Sequence, residues 1–192
     1  MTKRHDSVHD RYTGKDIGVI AVHRLGGALR FVHSEDVAMK AAELSPRRFC
    51  WKKYPEQIHL DLVRLVLKNE LAQGAPRIAG GVRDGWMLTP IGFAWCISND
   101  RGQGNAALLN RVHGELERVK NTAAFGKALA GRLGDVSTVE IEALLHIDHY
   151  TTSRGRKEKA LALANTAVLD KELRSVLTML TDKGFRQLEV QE

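Results

Sequence analysis

One glycine-rich stretch near the middle of the chain restricts the possible folds more than any other feature of the sequence. Residues 75–95 read "APRIAGGVRDGWMLTPIGFAW". Two short segments of extended character, 77–79 and 85–89, flank the tip "GGVRDG". Glycine and Asp-Gly adopt the positive φ angles that tight hairpin turns require. The stretch therefore predicts a β-hairpin in a chain whose other apolar residues mostly follow helical spacing.

Three helical patterns precede the hairpin. The first apolar stripe runs from residue 15 to about residue 30, although the glycine pair at 26–27 is expected to fray or end the helix. The "RFVH" that follows favours a short extended segment. Ser34 is the expected N-cap of the second helix, which ends near residue 44. The third helix is expected to begin at Pro55, a favoured first position, and to end near residue 73.

The third helix has an unusually broad apolar face. We therefore expect it to be mostly buried, with a single polar strip free to face a ligand. The apolar set consists of Ile58, Leu60, Leu62, Val63, Leu65, Val66, Leu67 and Leu71. The polar strip consists of Gln57, Asp61, Arg64 and Lys68.

The chain after the hairpin is predicted to be helical, apart from one linker. Thr89 followed by Pro90 is a typical helix start and predicts a short helix over residues 90–97. The polar, glycine-rich "SNDRGQGN" at 98–105 is the expected linker. Further helices are predicted over residues 156–168 and 170–181, and after the S-x-x-E capping box that begins at Ser137.

The basic residues are concentrated in the N-terminal half of the chain. The whole chain has 29 Lys and Arg residues against 23 Asp and Glu. Residues 1–97 hold 15 of the basic and 10 of the acidic residues. Four cations fall within residues 47–53, "RRFCWKK", with no acid among them. This distribution favours a nucleic acid or another acidic partner for the N-terminal half.

The order of helices and hairpin resembles the winged helix-turn-helix domain of bacterial regulators and of restriction- or defence-type systems. The resemblance is clearest in "GWMLTPIGFAW", which has the aromatic-x-Leu-Thr-x-x-Gly form of a wing-closing strand and helix start. It implies a mainly α fold with a flexible tail over residues 1–14, a winged helix over 15–97 and a linker over 98–105. Residues 106–192 would form a helical domain for dimerisation or partner docking.

The resemblance also implies a set of DNA contacts. The third helix would be the recognition helix, and the cations before it would hold phosphates while its first polar residues face base edges. The expected phosphate contacts are Arg47, Arg48, Lys52, Lys53 and Arg64, and the expected base contacts are Tyr54 and Gln57. In the wing, Arg83 would reach a minor groove or the backbone, supported by Arg77.

Other chemical readings of the sequence are weaker. Nucleotide-binding and hydrolase motifs do not occur in the sequence, and we expect no enzymatic activity, no metal and no cofactor. His146 and His149 would share one face of a helix and form half of a metal site.

Phe49 and Trp51 are expected in the core. Cys50 is expected to be buried as a small apolar residue rather than to act as a reactive thiol.

We therefore expect a non-catalytic protein that binds double-stranded DNA and regulates transcription or assists another DNA-binding factor. The two cysteines form no paired motif, and the polar N-terminus has no secretory pattern, which favours a bacterial cytoplasm. The charge-dominated surface predicts binding of low sequence specificity. The alternative is a protein-interaction subunit of a larger restriction or phage-defence complex.

Overall fold

The computed structural model describes residues 12–100 and 105–185, and within them the chain is mainly helical with one two-stranded antiparallel sheet. Most of the predicted tail and the centre of the predicted linker lie outside the described residues. The strands are β1 (Ile78–Gly81) and β2 (Gly85–Leu88). The α-helices are α1 (Gly14–Arg24), α2 (Ser34–Leu44), α3 (Pro46–Phe49), α4 (Leu60–Leu71), α5 (Pro90–Asn99), α6 (Asn105–Lys120), α7 (Ala123–Leu129), α8 (Thr138–Leu145), α9 (Ser153–Thr166) and α10 (Lys171–Asp182).

The predicted hairpin is confirmed. Ile78 pairs with Leu88 at its open end and Gly81 pairs with Gly85 at its tip. Gly80 has φ 108°, and a Cβ there would lie 2.1 Å from the carbonyl oxygen of Gly85. Glycine is therefore required at position 80, because no side chain fits between the two strands.

The "RFVH" segment joins this hairpin as a single bridge. Val32 and Trp86 exchange both backbone hydrogen bonds, with N–O distances of 2.9 and 2.8 Å. The buried indole of Trp86 also donates to the Ser34 hydroxyl over 2.9 Å. Ser34 was expected to cap α2, but it is the first helical residue, and His33 occupies the cap. The Ser34 hydroxyl satisfies a buried indole instead of a helix N–H.

Helix α4 starts later than the sequence predicts. It begins at Leu60 and not at Pro55, because residues 50–58 fold back on themselves. Cys50 pairs with Ile58 as an isolated β-bridge, and Pro55 lies in the turn between them. The His59 side chain then caps the helix by accepting a hydrogen bond from the backbone N–H of Leu62 at 3.2 Å.

The first helix ends close to the glycine pair that was expected to end it, whereas the burial predicted for α4 is wrong. Helix α1 ends at Arg24, and Gly26 with φ 86° then turns the chain, so the apolar stripe that reaches residue 30 is not helical throughout. The apolar face of α4 is less buried than expected, since Leu65 is 53% exposed and Leu71 is 36% exposed. Helix α4 packs on α1, α2 and β1, so its opposite side is left facing solvent.

Two predicted helix starts are confirmed by their caps. The Thr89 side chain accepts from the N–H of Gly92 at the start of α5. Ser137 and Glu140 form the predicted capping box at the start of α8. The last two helices lie where they were predicted, although α9 begins three residues early, after Thr152 as its N-cap. Capping side chains satisfy N–H groups that have no partner inside the helix.

A buried charge cluster ties the end of α1 to the end of α5. The His23 ring lies 3.0 Å from the Asp100 carboxylate, and Arg24 donates to the same carboxylate at 2.7 and 3.2 Å. Hydrogen bonding to Asp100 raises the pKa of Arg24, although burial works against it. Asp100 is buried at the beginning of the predicted linker, so the chain is still fixed there.

The hydrophobic core has two main parts, and both α6 and α9 contribute to each side of the division. One part lies among α1, α2, α4, the hairpin, α5 and the start of α6, and the other lies among the end of α6, α7, α8 and α10. Leu161 and Ala162 of α9 pack against Met87 of β2. Leu163 on the same helix belongs to the C-terminal core. Among the described residues, no helix is long and apolar enough to cross a membrane.

Candidate nucleic-acid interface

The cations of "RRFCWKK" lie on the short helix α3 and on the exposed turn between α3 and α4. We call residues 46–59, which include α3, the cationic loop. Its base is fixed by backbone hydrogen bonds, from Trp51 N–H to Gln57 oxygen at 3.0 Å and from His59 N–H to Phe49 oxygen at 2.8 Å. The turn at its tip is closed by a hydrogen bond from Gln57 N–H to Tyr54 oxygen at 2.9 Å. The loop is therefore an ordered projection, held at both ends.

The cationic loop carries most of the expected contact residues, with Arg47 on α3 and the others in the turn that follows it. Arg47, Lys52 and Lys53 are exposed and make no ion pair among the described residues. Tyr54 is 47% exposed, and the Lys53 ammonium lies 5.6 Å from the centre of its ring. Gln57 is also exposed. Because α4 starts at Leu60, Tyr54 and Gln57 lie in the loop before the helix and not in its first turn.

The two aromatic residues of the loop have different environments. Phe49 is fully buried, as predicted, and anchors the loop to the core. Trp51 was expected in the core but is 48% exposed. Its indole is stacked on the His59 ring, with centroids 4.1 Å apart and planes 7° apart. The alternation of charged and aromatic residues in the sequence does not predict this stacking, because it depends on the fold of the loop, which brings His59 next to Trp51.

Cys50 contributes to a shallow cavity beside Trp51. The cysteine is half-buried and was expected to be fully buried. The cavity has a volume of about 300 Å³ and is lined by Pro46, Arg47, Cys50, Trp51, Lys52 and Pro55. Its lining combines apolar surface with two cations, a combination compatible with the sugar and phosphate of a nucleic-acid backbone.

Arg48 and Arg64 each interact with another group of the protein, unlike Arg47, Lys52 and Lys53. The Arg48 guanidinium donates to the carbonyl oxygen of Tyr12 at 2.7 Å, which fastens the loop to the segment before α1. Arg64 is half-buried and lies 3.4 Å from the Asp61 carboxylate on the same face of α4. Asp61 reduces the positive charge of that face, which also includes the exposed Leu65 and Lys68.

Arg77 is held inside a network of two carboxylates. Its guanidinium donates twice to Glu70, at 2.7 and 2.8 Å, and once to Asp16 at 2.7 Å. It also lies over the Trp95 ring, 4.5 Å from the ring centre. The hydrogen bonds from Arg77 lower the pKa of Glu70, and those to Glu70 raise the pKa of Arg77. These contacts join α1, α4 and α5 at the start of β1.

Arg83 lies at the tip of the hairpin, where the resemblance predicts a wing arginine. It is exposed and makes no ion pair among the described residues. Beside it, Arg154 of α9 donates to the backbone oxygen of Asp84 at 2.6 Å. Arg154 is 70 residues from Asp84 in the chain. No local pattern in the sequence indicates this neighbour, because it depends on how α9 packs.

The histidine pair of "HIDHY" does not lie on a helix. Helix α8 ends at Leu145, and His146 terminates it with φ 56° in the left-handed region. The His149 ring stacks on Tyr150, with centroids 3.8 Å apart. The shared helical face that suggested a metal site is therefore absent. No group of three or more metal-ligating side chains occurs in the part of the chain that the structure describes.

Comparison with known proteins gives no assignment. No protein-family model matches this chain, and searches of the curated proteins and of the solved structures also gave no match. The function therefore has to be inferred from the residues and their geometry.

Proposed function

We propose that this protein binds double-stranded DNA without catalysis, through a winged helix formed by residues 15–97. In this proposal α2 and α4 form the helix-turn-helix, α4 is the recognition helix, and the β1–β2 hairpin is the wing. The observation that carries the proposal is the cationic loop, whose free cations project directly before the N-terminal end of α4. A recognition helix meets the major groove with that end.

The order of elements supports the winged-helix part of the proposal. Helix α1 is followed by the single bridge at Val32, then by α2, the four-residue α3, α4 and the hairpin. Val32 pairs with Trp86 of β2, so it adds a one-residue third strand to the edge of the sheet. A helix, a short strand, two helices and a hairpin in this order are typical of winged helices.

The distribution of charge supports non-specific or weakly specific binding. The cationic loop offers Arg47, Lys52 and Lys53 to phosphates, which carry no sequence information. The exposed face of α4 carries Asp61 and Leu65, neither of which improves binding to a phosphate backbone. Tyr54 and Gln57 remain the best candidates for contacts with base edges. Arg77 is already bonded to two carboxylates, so we assign it a structural part in the wing.

The experiment that tests the proposal compares loop variants by fluorescence anisotropy with a labelled random duplex. Replacing Arg47, Lys52 and Lys53 together by alanine removes three exposed cations that have no ion-pair partner among the described residues. We expect an affinity loss of about 100-fold at low salt, because each phosphate contact adds to the electrostatic free energy. Arg111, Arg132 and Lys171 are exposed cations in the C-terminal part of the chain, and their triple alanine variant is the matched control. Equal affinity of both triple variants would contradict the proposal.

A second candidate function is docking to another protein through the C-terminal helices, as a homodimer or as a subunit of a larger bacterial restriction or phage-defence complex. The observation in its favour is exposed apolar surface on α7 and α8, where Leu129 is 52% and Val139 is 72% exposed. Exposed apolar residues of this kind are typical of contact surfaces when they lie together. A protein of this class would bind duplex DNA weakly or not at all when alone, and sedimentation would report any dimer.

A further inference from the structure

Helix α9 brings a second group of cations to the tip of the hairpin. Residues 153–159 read "SRGRKEK" and contain four cations and one carboxylate. In the sequence this segment lies far outside the predicted winged helix. In the fold its N-terminal end contacts the hairpin directly, through the hydrogen bond from Arg154 to the Asp84 carbonyl oxygen at 2.6 Å.

The contact between α9 and the hairpin is extensive enough to fix their relative position. The Arg154 guanidinium lies 5.7 Å from the centre of the Phe31 ring. The Glu158 carboxylate accepts from the backbone N–H of Phe31 at 2.9 Å. One turn further along, Leu161 packs on Met87 of β2. Near the other end of the helix, the Asn165 amide donates to the carbonyl oxygens of Ala28 and Leu88, at 2.8 and 2.9 Å.

The charges near the hairpin tip are predominantly positive. Arg83, Arg154 and Lys157 are exposed, and none of them makes an ion pair among the described residues. Arg156 is half-buried and donates to the backbone oxygens of residues 148 and 151. The neighbouring acids are Asp84, which is exposed, and Glu158, which is already bonded to Phe31. The net charge of this surface is therefore positive.

The position of these cations is unfavourable for the helix itself. The first turn of α9 contains no acidic residue, and the positive end of the helix dipole repels Arg154 and Arg156. Helix stability would favour aspartate or glutamate there. Cations that oppose the helix dipole while facing solvent are better explained by an external anion that they bind.

From these contacts we infer that Arg154 and Lys157 of α9, together with Arg83, form a second DNA-backbone contact beside the wing. This inference rests on the proposed function and extends it. A wing that enters or borders a minor groove places its flanks next to the phosphates of that groove. Helix α9 is fixed to one flank, so its free cations would neutralise phosphates that the winged helix alone does not reach.

The test is the salt dependence of duplex binding by the variant Arg154→Ala/Lys157→Ala. Each lost phosphate contact lowers the slope of log affinity against log salt by about 0.9. We expect the double variant to lose between about one and two units of slope. The matched control is Arg132→Ala/Lys171→Ala, which removes one arginine and one lysine from exposed positions in the C-terminal part of the chain. We expect this control to keep the wild-type slope.

Two further variants separate this inference from folding defects and from the proposed function. Lys157 is exposed and makes no side-chain hydrogen bond or ion pair among the described residues, so Lys157→Ala leaves the hairpin contact intact and should still lose about 0.9 units of slope. A wild-type slope for both Arg154→Ala/Lys157→Ala and Lys157→Ala would overturn the inference. If the loop variant lost affinity but the α9 variants kept the wild-type slope, the proposed function would stand and only the inference about α9 would fail. If the wild-type protein did not bind the duplex at all, both would fail.

Discussion

The arginines of the hairpin region show how burial separates a structural residue from one that is available to a ligand. Arg77 and Arg83 lie six positions apart and were expected to act together on DNA. The Arg77 side chain is only 17% exposed and bonded to Glu70 and Asp16, whereas Arg83 is exposed at the turn. The sequence shows two similar cations. Their difference arises from Glu70 and Asp16, which reach Arg77 from α4 and α1.

The first prediction compares these two arginines by chemical denaturation. Arg77→Ala leaves the buried Glu70 carboxylate without its partner, and we expect it to lower the free energy of unfolding by about 3 kcal/mol. Arg83→Ala removes an exposed side chain and should change it by less than about 0.5 kcal/mol. DNA affinity should respond mainly to Arg83. Similar stability of the two variants would contradict this account of the network.

The second prediction concerns pH. Hydrogen bonds from Arg77 lower the pKa of Glu70 below its ordinary value of 4.5. The ionised carboxylate is thus favoured in the folded state, and its contribution to stability is fully present above pH 4.5 and is lost as the pH falls through the lowered pKa. Glu70→Gln should therefore flatten the loss of stability between about pH 5 and pH 2. An unchanged pH profile measured by thermal denaturation would contradict this prediction.

At the scale of elements, local turn and cap signals predicted the fold best. The hairpin, the Thr89 cap and the Ser137 capping box follow from residues within a few positions of each other, and all three are confirmed. The predicted start of α4 at Pro55 was wrong because proline is favoured in tight turns as well as at the first position of a helix. The pairing of Cys50 with Ile58 decided between the two conformations, and no sequence rule ranks that pairing above a helix.

The candidate site was predicted less well than the fold, because several of its contacts join residues that are distant in the sequence. The exposed cations of the loop follow from their charge alone, but Trp51 was placed in the core because tryptophan is usually buried. Its support by His59 depends on the reversal of the chain at Pro55. Arg154 was not predicted at all, because its contact with Asp84 joins residues that are 70 positions apart.

The third prediction tests the hairpin through two adjacent glycines. Gly80 has φ 108° and its Cβ would collide with the carbonyl oxygen of Gly85, whereas a Cβ on Gly81 would meet open space. We expect Gly80→Ala to destabilise the protein by about 2 kcal/mol or more, and Gly81→Ala to change stability by less than about 1 kcal/mol. Urea denaturation of both variants gives the comparison. Equal stability would show that the hairpin turn differs from the one described.

At the scale of the whole molecule, α9 connects the two parts of the core. Its residues pack on β2 and on the C-terminal helices, and the Asn165 amide donates to two buried carbonyl groups in the N-terminal part. A helix shared by both cores couples their unfolding. All three tryptophans lie between residues 51 and 95, whereas the helices extend over both parts, so fluorescence and circular dichroism report different regions.

The fourth prediction follows from this coupling. Thermal unfolding of the wild-type protein should give the same midpoint by tryptophan fluorescence and by circular dichroism. Asn165→Leu leaves two buried carbonyl groups without a donor and should lower stability by about 2–4 kcal/mol, with Asn110→Leu at an exposed position as the control. Separate midpoints in the wild-type protein would mean that α9 does not couple the two cores.

The most direct test of the central claim is the salt dependence of duplex affinity for the wild-type protein alone. A protein that contacts DNA phosphates through the cationic loop and the hairpin tip should bind a random duplex, and the logarithm of its affinity should fall linearly with the logarithm of the salt concentration. A slope of about −4 or steeper corresponds to contacts with at least four phosphates. Absence of binding at low salt, or an affinity that does not change with salt, would contradict the claim and favour docking to another protein.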